Sequence, residues 1–134
     1  MREFQVQAAL LEILAELTTP AQRKAWMDPK AKLWWELETE LRKDLTQPIN
    51  LKRMSQLTRR SQATIARSCF YAVGFAPLRR IREIRMSLAR GLLRGSEATI
   101  SEIATKVGYA RVHEFSRAYR KSFNITATDD RQQA

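Results

Sequence analysis

Apolar residues recur along this chain at steps of three and four, punctuated by prolines, glycines and hydroxyl or amide side chains, so the pattern predicts a string of amphipathic helices. Between Glu3 and Leu17, the residues Val6, Leu10, Ile13, Leu14 and Leu17 share one face. Thr19-Pro20 restarts a short helix, with Thr19 and Gln22 at capping-box spacing. Asp28-Pro29 heads a longer one reaching about Leu45; Trp34, Leu37, Leu41 and Leu45 line up inward, while Glu36, Glu38, Glu40, Arg42 and Lys43 face out. Trp26, Trp34 and Trp35 all lie in this half and read as core or interface anchors. Thr46-Gln47-Pro48 breaks the pattern, and Asn50 caps a helix from Leu51 to about Thr58. Ser61 caps the next, which Gly74 closes after Val73, with Ile65, Cys69 and Val73 at core spacing. Pro77 opens a helix to about Arg94, closed by Gly95, with Leu78, Ile81, Ile84, Leu88 and Leu92 as its stripe. Its other face carries Arg79, Arg80, Arg82, Arg85 and Arg90.

The stretch from Thr99 to Phe123 is the most specific. Thr99 stands three residues before Glu102, the spacing of reciprocal side-chain caps at a helix start. Ile100, Ile103, Ala104 and Val107 form one apolar stripe, and Gly108 ends the helix where a left-handed backbone needs no Cβ. A second run then turns Val112, Phe115, Ala118, Tyr119 and Phe123 inward and leaves Arg111, Arg117, Arg120 and Lys121 outward. Two short helices joined at a glycine, the second basic and with small Ala104 at the crossing, suit a DNA-reading helix-turn-helix. An ordinary helical hairpin would show much of the same pattern.

Charge shifts the balance. The chain has 134 residues, a net charge of +10 and a pI near 10.5, which favours a polyanionic partner, nucleic acid before an anionic membrane. Residues 1–50 hold seven Lys/Arg against eight Asp/Glu, whereas residues 51–94 hold eleven against Glu83 alone. The cationic surface therefore belongs to the middle of the chain. At 44% hydrophobic the chain can build a core, though a thin one that divides easily. The single cysteine, Cys69, cannot form an internal disulfide and reads as a small buried hydrophobe. No secretory signal or spanning segment is visible, so a cytoplasmic compartment is expected. His113, the one histidine, has no paired nucleophile or carboxylate around it in the sequence. With no metal-ligand cluster, phosphate loop or Ser/His/Asp set either, an enzyme, a metal site and a cofactor are not expected.

The chain also repeats itself. LKRMSQLTRRSQATIARSCF from Leu51 and ISEIATKVGYARVHEFSRAY from Ile100 each place a second apolar residue after three positions (Met54, Ile103), then a small one (Ser55, Ala104). Each enters a second helix with an arginine two residues past its first core apolar: Ile65 then Arg67, Phe115 then Arg117. With this repeat, GFAPLRRIREIRMSLARGLLRG between the halves and FSRAYRKSFNIT at the end, residues 51 to about 126 resemble the DNA-binding domain of the AraC/XylS family of bacterial regulators. The resemblance implies an all-α fold of seven helices, residues 29–134, with two helix-turn-helix units (about 50–74 and 99–123) joined by a linker helix, 77–94. The segment 1–28 then precedes it as an amphipathic piece suited to dimerisation or an interdomain contact. Three departures from the family pattern stand out. Arg59 replaces a turn glycine, predicting a wider or strained turn; Ala76 replaces a serine cap; and Asn124, Thr126, Ala127 and Asp130 replace the usual ending. Asn124 suits a left-handed cap, but the last short helix is expected to fray.

The resemblance also implies roles. The second helix of each unit enters a major groove, with the two separated by about 34 Å, one DNA turn. Base-facing positions are Gln62, Ala63, Thr64, Ala66 and Arg67 in the first unit, and Arg111, Val112, His113, Glu114 and Arg117 in the second. Arg67 and Arg117 can grip guanine O6 and N7, Glu114 can accept from cytosine N4, and Ala63, Thr64 and Ala66 suit a thymine methyl. Arg59, Arg60, Ser61, Tyr71, Arg79, Arg80, Lys106, Arg120 and Lys121 are the phosphate candidates. The expected function is a sequence-specific transcription regulator, an activator, on double-stranded DNA of the bacterial nucleoid, with RNA polymerase and a homodimer through the N-terminal helices as further partners and no membrane. Two other readings stay open: an interaction protein working through residues 1–45, and a basic protein binding nucleic acid without sequence preference. The length leaves no room for a ligand-binding domain, so the chain reads as a short stand-alone member or a piece cut after one.

Overall fold

The structure, a computed structural model, describes residues 28–134. The readings placed on the Glu3–Leu17 run, Thr19-Pro20, Trp26 and dimerisation through that segment lie outside the described residues. Seven helices follow in order: α1 (Pro29–Arg42), α2 (Leu51–Thr58), α3 (Gln62–Val73), α4 (Pro77–Gly95), α5 (Ile100–Lys106), α6 (Val112–Phe123) and α7 (Ala127–Gln133). Among the described residues there is no strand.

The starts are set by the caps the sequence advertises. Asp28 accepts from the Lys30 N–H, Asn50 from Arg53, Ser61 from Thr64 and Thr99 from Glu102, whose carboxylate in turn accepts from the Thr99 N–H. Ala76 caps α4 without a side-chain bond, and Pro77 supplies the preset first residue instead. Two boundaries move. α1 stops at Arg42 rather than near Leu45, because the Asp44 carboxylate accepts from Thr46 N–H and turns the chain out of the helix. α4 runs through Gly95 to a Ser96 cap whose N–H still reaches the Leu92 carbonyl.

The core divides in two. Trp34, Leu37, Leu41, Leu45, Met54, Ile65, Cys69, Ile81 and Ile84 make the first cluster. Met86, Ala89, Leu93, Ile103, Ala104, Val107, Phe115, Tyr119 and Ala127 make the second. α4 contributes to both, and this corrects its expected stripe. Ile81 and Ile84 point to the first core, and Met86, Ala89 and Leu93 to the second; at 100° per residue the buried face swings by about 140° along the helix. Leu78 and Leu88 belong to neither core and are exposed, Leu88 continuing the face of Ile81 and Ile84 beyond the end of the first cluster.

The last helix is also a correction. α7 forms, capped by Thr126, because Asp130 is sealed into the second core at 1% exposure. Its carboxylate accepts from the Tyr119 hydroxyl and from Arg94 Nη2 at 2.7 Å, with Arg90 Nε at 3.2 Å. These donors hold the Asp130 carboxyl below the usual carboxylate range, the Tyr119 bond contributing most. Arg131 adds a bond to the Leu93 carbonyl.

Candidate nucleic-acid interface

The two halves share one register. α3 and α6 are both twelve residues long; Ser61 and Arg111 precede them, and Gly74 and Asn124 close them in left-handed geometry, φ 86° and 57°. The turns correspond with one residue more in the second unit, so that Arg59 at φ 55° matches Gly108 at φ 95° one position out of the helix register. Arg59 thus adopts the glycine conformation directly, which costs a residue with a Cβ about 1–2 kcal/mol. In this register Ile65 matches Phe115 and Cys69 matches Tyr119, all buried, while Arg67 matches Arg117, both exposed. Burial also raises the Cys69 thiol to about 12, which removes it from thiolate chemistry.

The remaining base-facing candidates lie as follows. Gln62, Ala63, Arg111, His113 and Glu114 are exposed, whereas Thr64, Ala66 and Val112 are half-buried. Arg111 occupies the cap position of α6 without capping it. In the first unit a hydroxyl relay aims the arginine: Ser61 Oγ meets Thr64 Oγ1 at 2.8 Å, and Arg67 Nη2 donates to Thr64 Oγ1 at 3.5 Å. Beside it opens a cleft of about 350 Å³ lined by Lys30, Arg60, Thr64, Arg67 and Tyr71, with Lys30 Nζ 4.9 Å above the Tyr71 ring. Three cations around an open cleft suit an anionic group such as a phosphate. Lys30 was not among the sequence candidates, since only the fold brings the start of α1 against α3. That contact is pinned by Ser68, whose hydroxyl donates to the Lys30 carbonyl at 2.7 Å and accepts from the Trp34 N–H at 3.0 Å.

Of the phosphate candidates, Arg59, Arg60, Ser61, Tyr71, Arg79, Lys106, Arg120 and Lys121 are exposed. Arg80 is not available and is a correction. Its guanidinium is bound to Glu38 at 2.5 Å, and Glu38, expected outside, is only 5% exposed. The reason is pairwise: neither charge could be buried alone, and α1 meets α4 where each neutralises the other. The same lock recurs with the same polarity in the second unit, where Asp130 of α7 meets Arg90 and Arg94 of α4. Arg79 remains exposed but is committed in part, stacked on Phe75 at 4.6 Å and 3.7 Å from Glu83.

Arg85, grouped by its sequence position with the outward arginines, is half-buried at the seam between the units. It donates to the Gln47 carbonyl at 3.3 Å and to the Gly108 carbonyl at 3.4 Å. The seam is tight: a Cβ on Gly108 would lie 2.1 Å from the Leu45 carbonyl oxygen. The turn of the second unit therefore rests on the chain leaving α1, and Arg85 fastens both. Burial lowers the Arg85 pKa without discharging it, since an arginine stays protonated at neutral pH.

Comparison with known proteins agrees with this arrangement. The family described as helix-turn-helix domain matches residues 54–133. A transcriptional regulator of Chromobacterium violaceum, described by its AraC-type DNA-binding domain, superposes with a TM-score of 0.69 at 24% identity, over 76% of this chain and 91% of that one. The chain belongs to the AraC-type helix-turn-helix family. Within it, the HTH-type transcriptional activator RhaS of Escherichia coli is 36% identical over 72 residues, 54% of this chain but 26% of RhaS. The C-terminal domain of AraT, a response regulator from Geobacillus stearothermophilus, superposes with a TM-score of 0.72 at 25% identity, over 81% of this chain and 88% of that one. Among the described residues no helix is long and apolar enough to cross a membrane, and no group of His, Cys, Asp and Glu is placed to hold a metal.

Proposed function

We propose that this chain is a sequence-specific transcription regulator of the bacterial cytoplasm and nucleoid that lays α3 and α6 into successive major grooves of one duplex. It works by binding alone, without catalysis or a cofactor. The observation that supports this best is the shared register of the two halves, which exposes Arg67 and Arg117 at equivalent points of equal helices. Each arginine reads a guanine in its own half-site, with Gln62, Ala63, Thr64, Ala66, Arg111, His113 and Glu114 completing the two faces. Arg59, Arg60, Ser61, Tyr71, Arg79, Lys106, Arg120, Lys121 and the added Lys30 hold the phosphates and carry no sequence information. α4, at 19 residues about 28 Å long, sets the spacing. RhaS carries the name of a transcriptional activator, which favours activation through RNA polymerase here, with residues 1–28 pairing two copies.

Selection of bound duplexes from a randomised pool tests this. The reading expects two unequal half-sites about one DNA turn apart, with Arg67→Ala and Arg117→Ala each relaxing a different half. Enrichment of no sequence over competitor DNA would leave only a basic, unselective binder.

A further inference from the structure

The shared register exposes an exchange between the two units that neither sequence half shows alone. Counting from the matched caps, Phe70 and Tyr71 of α3 stand where α6 carries Arg120 and Lys121, and Leu57 of α2 stands where α5 carries Lys106. All three apolar side chains are exposed, Phe70 at 64%. Cations at the end of one reading helix have thus become aromatics at the end of the other. Phe70 follows Ala63, Ala66 and Arg67 by seven, four and three residues, so these four share one outward stripe of α3. Ile65 and Cys69 hold the opposite side in the core. An exposed phenyl ring is costly in water and useless to a phosphate, but it continues the face that carries Arg67.

We infer that Phe70 is a specificity-determining residue of the first unit, packing against the 5-methyl group of a thymine beside the guanine read by Arg67. Two alanines leave room for the base edge, and the ring supplies the apolar surface that a methyl in the major groove can bury against. The two half-sites then differ in chemistry: the α3 half is read by Arg67, Gln62 and Thr64 with apolar contact from Ala63, Ala66 and Phe70, the α6 half by the more charged set Arg111, His113, Glu114 and Arg117. This rests on the proposed DNA reading.

The test uses the full chain and the duplex it selects from a randomised pool, with thymines of the α3 half-site replaced one at a time by uracil, which deletes only the methyl. Wild type is expected to lose about fourfold in affinity at one such position, the effect of withdrawing one methyl from burial. Phe70→Ala loses about as much on the unmodified site and becomes indifferent to that replacement, while replacements in the α6 half act on both proteins alike. Phe70→Arg, matching Arg120 of the second unit, steepens the salt dependence yet stays indifferent to the methyl. Equal sensitivity of wild type and Phe70→Ala to every replacement overturns the inference. So does unchanged DNA affinity in Phe70→Ala, which would assign the ring to a protein partner. If wild type selects no sequence, the DNA reading itself fails, an outcome distinct from either.

Discussion

Arg117 and Asp130 are the two side chains on which separate parts of the account turn, one outside and one inside. Arg117 projects from α6 with no acidic partner among its described ion pairs, so its donors are open to a base edge. Arg117→Ala should cost about 1–3 kcal/mol on the selected site and flatten the preference at a single base pair, measured by competition titration. Equal weakening on all sequences would make it a phosphate contact. Asp130 is buried against Tyr119, Arg94 and Arg90, and its carboxyl is held below its ordinary value. The native state therefore binds fewer protons than the unfolded chain around that range; the contribution is full at neutral pH and is lost as pH falls through the lowered value. Asp130→Asn should destabilise the chain by about 2 kcal/mol at pH 7, and its unfolding curve should converge on that of wild type in acid. A gap that stays constant down to acid pH would mean that charge has no part in the lock.

The helices themselves were largely legible, because each start carries its own chemistry: Asn50, Ser61 and the Thr99–Glu102 box all act locally, and the structure forms the caps they signal. What could not be read was anything decided between elements. Periodicity gave α4 one stripe, but a helix shared by two cores has two, and no local pattern says where the change falls. Glu38 and Arg80 look like surface charges until α1 and α4 meet, and the usual family ending being absent hid the fact that Asp130 would seal α7. Candidate reading residues on α3 and α6 came with the family resemblance that the repeat helped to reveal; Lys30 and Phe70 lay outside it, because one needs the α1–α3 contact and the other a comparison of caps. Arg85 belongs with these. Since it joins Gln47 of one unit to Gly108 of the other, Arg85→Met should leave each helix folded but loosen the angle between units. In affinity measurements on duplexes with one base pair inserted or removed between half-sites, the penalty should shrink relative to wild type; an undiminished penalty would show that the Gly108 seam alone sets the geometry.

The molecule as a whole is two small cores hung on one helix, a construction that suits a binder of an extended, periodic ligand better than a binder of a small one. Its positive charge is concentrated in residues 51–94, which include the first unit and α4, so affinity should be governed by phosphates throughout and selectivity by the few exposed side chains of α3 and α6. The most direct check is a hydroxyl-radical footprint of the chain on its selected duplex in excess competitor DNA. The account predicts two protected patches on the same face of the duplex, centred about one helical turn apart. A single patch, or protection spread evenly along the DNA, would contradict it.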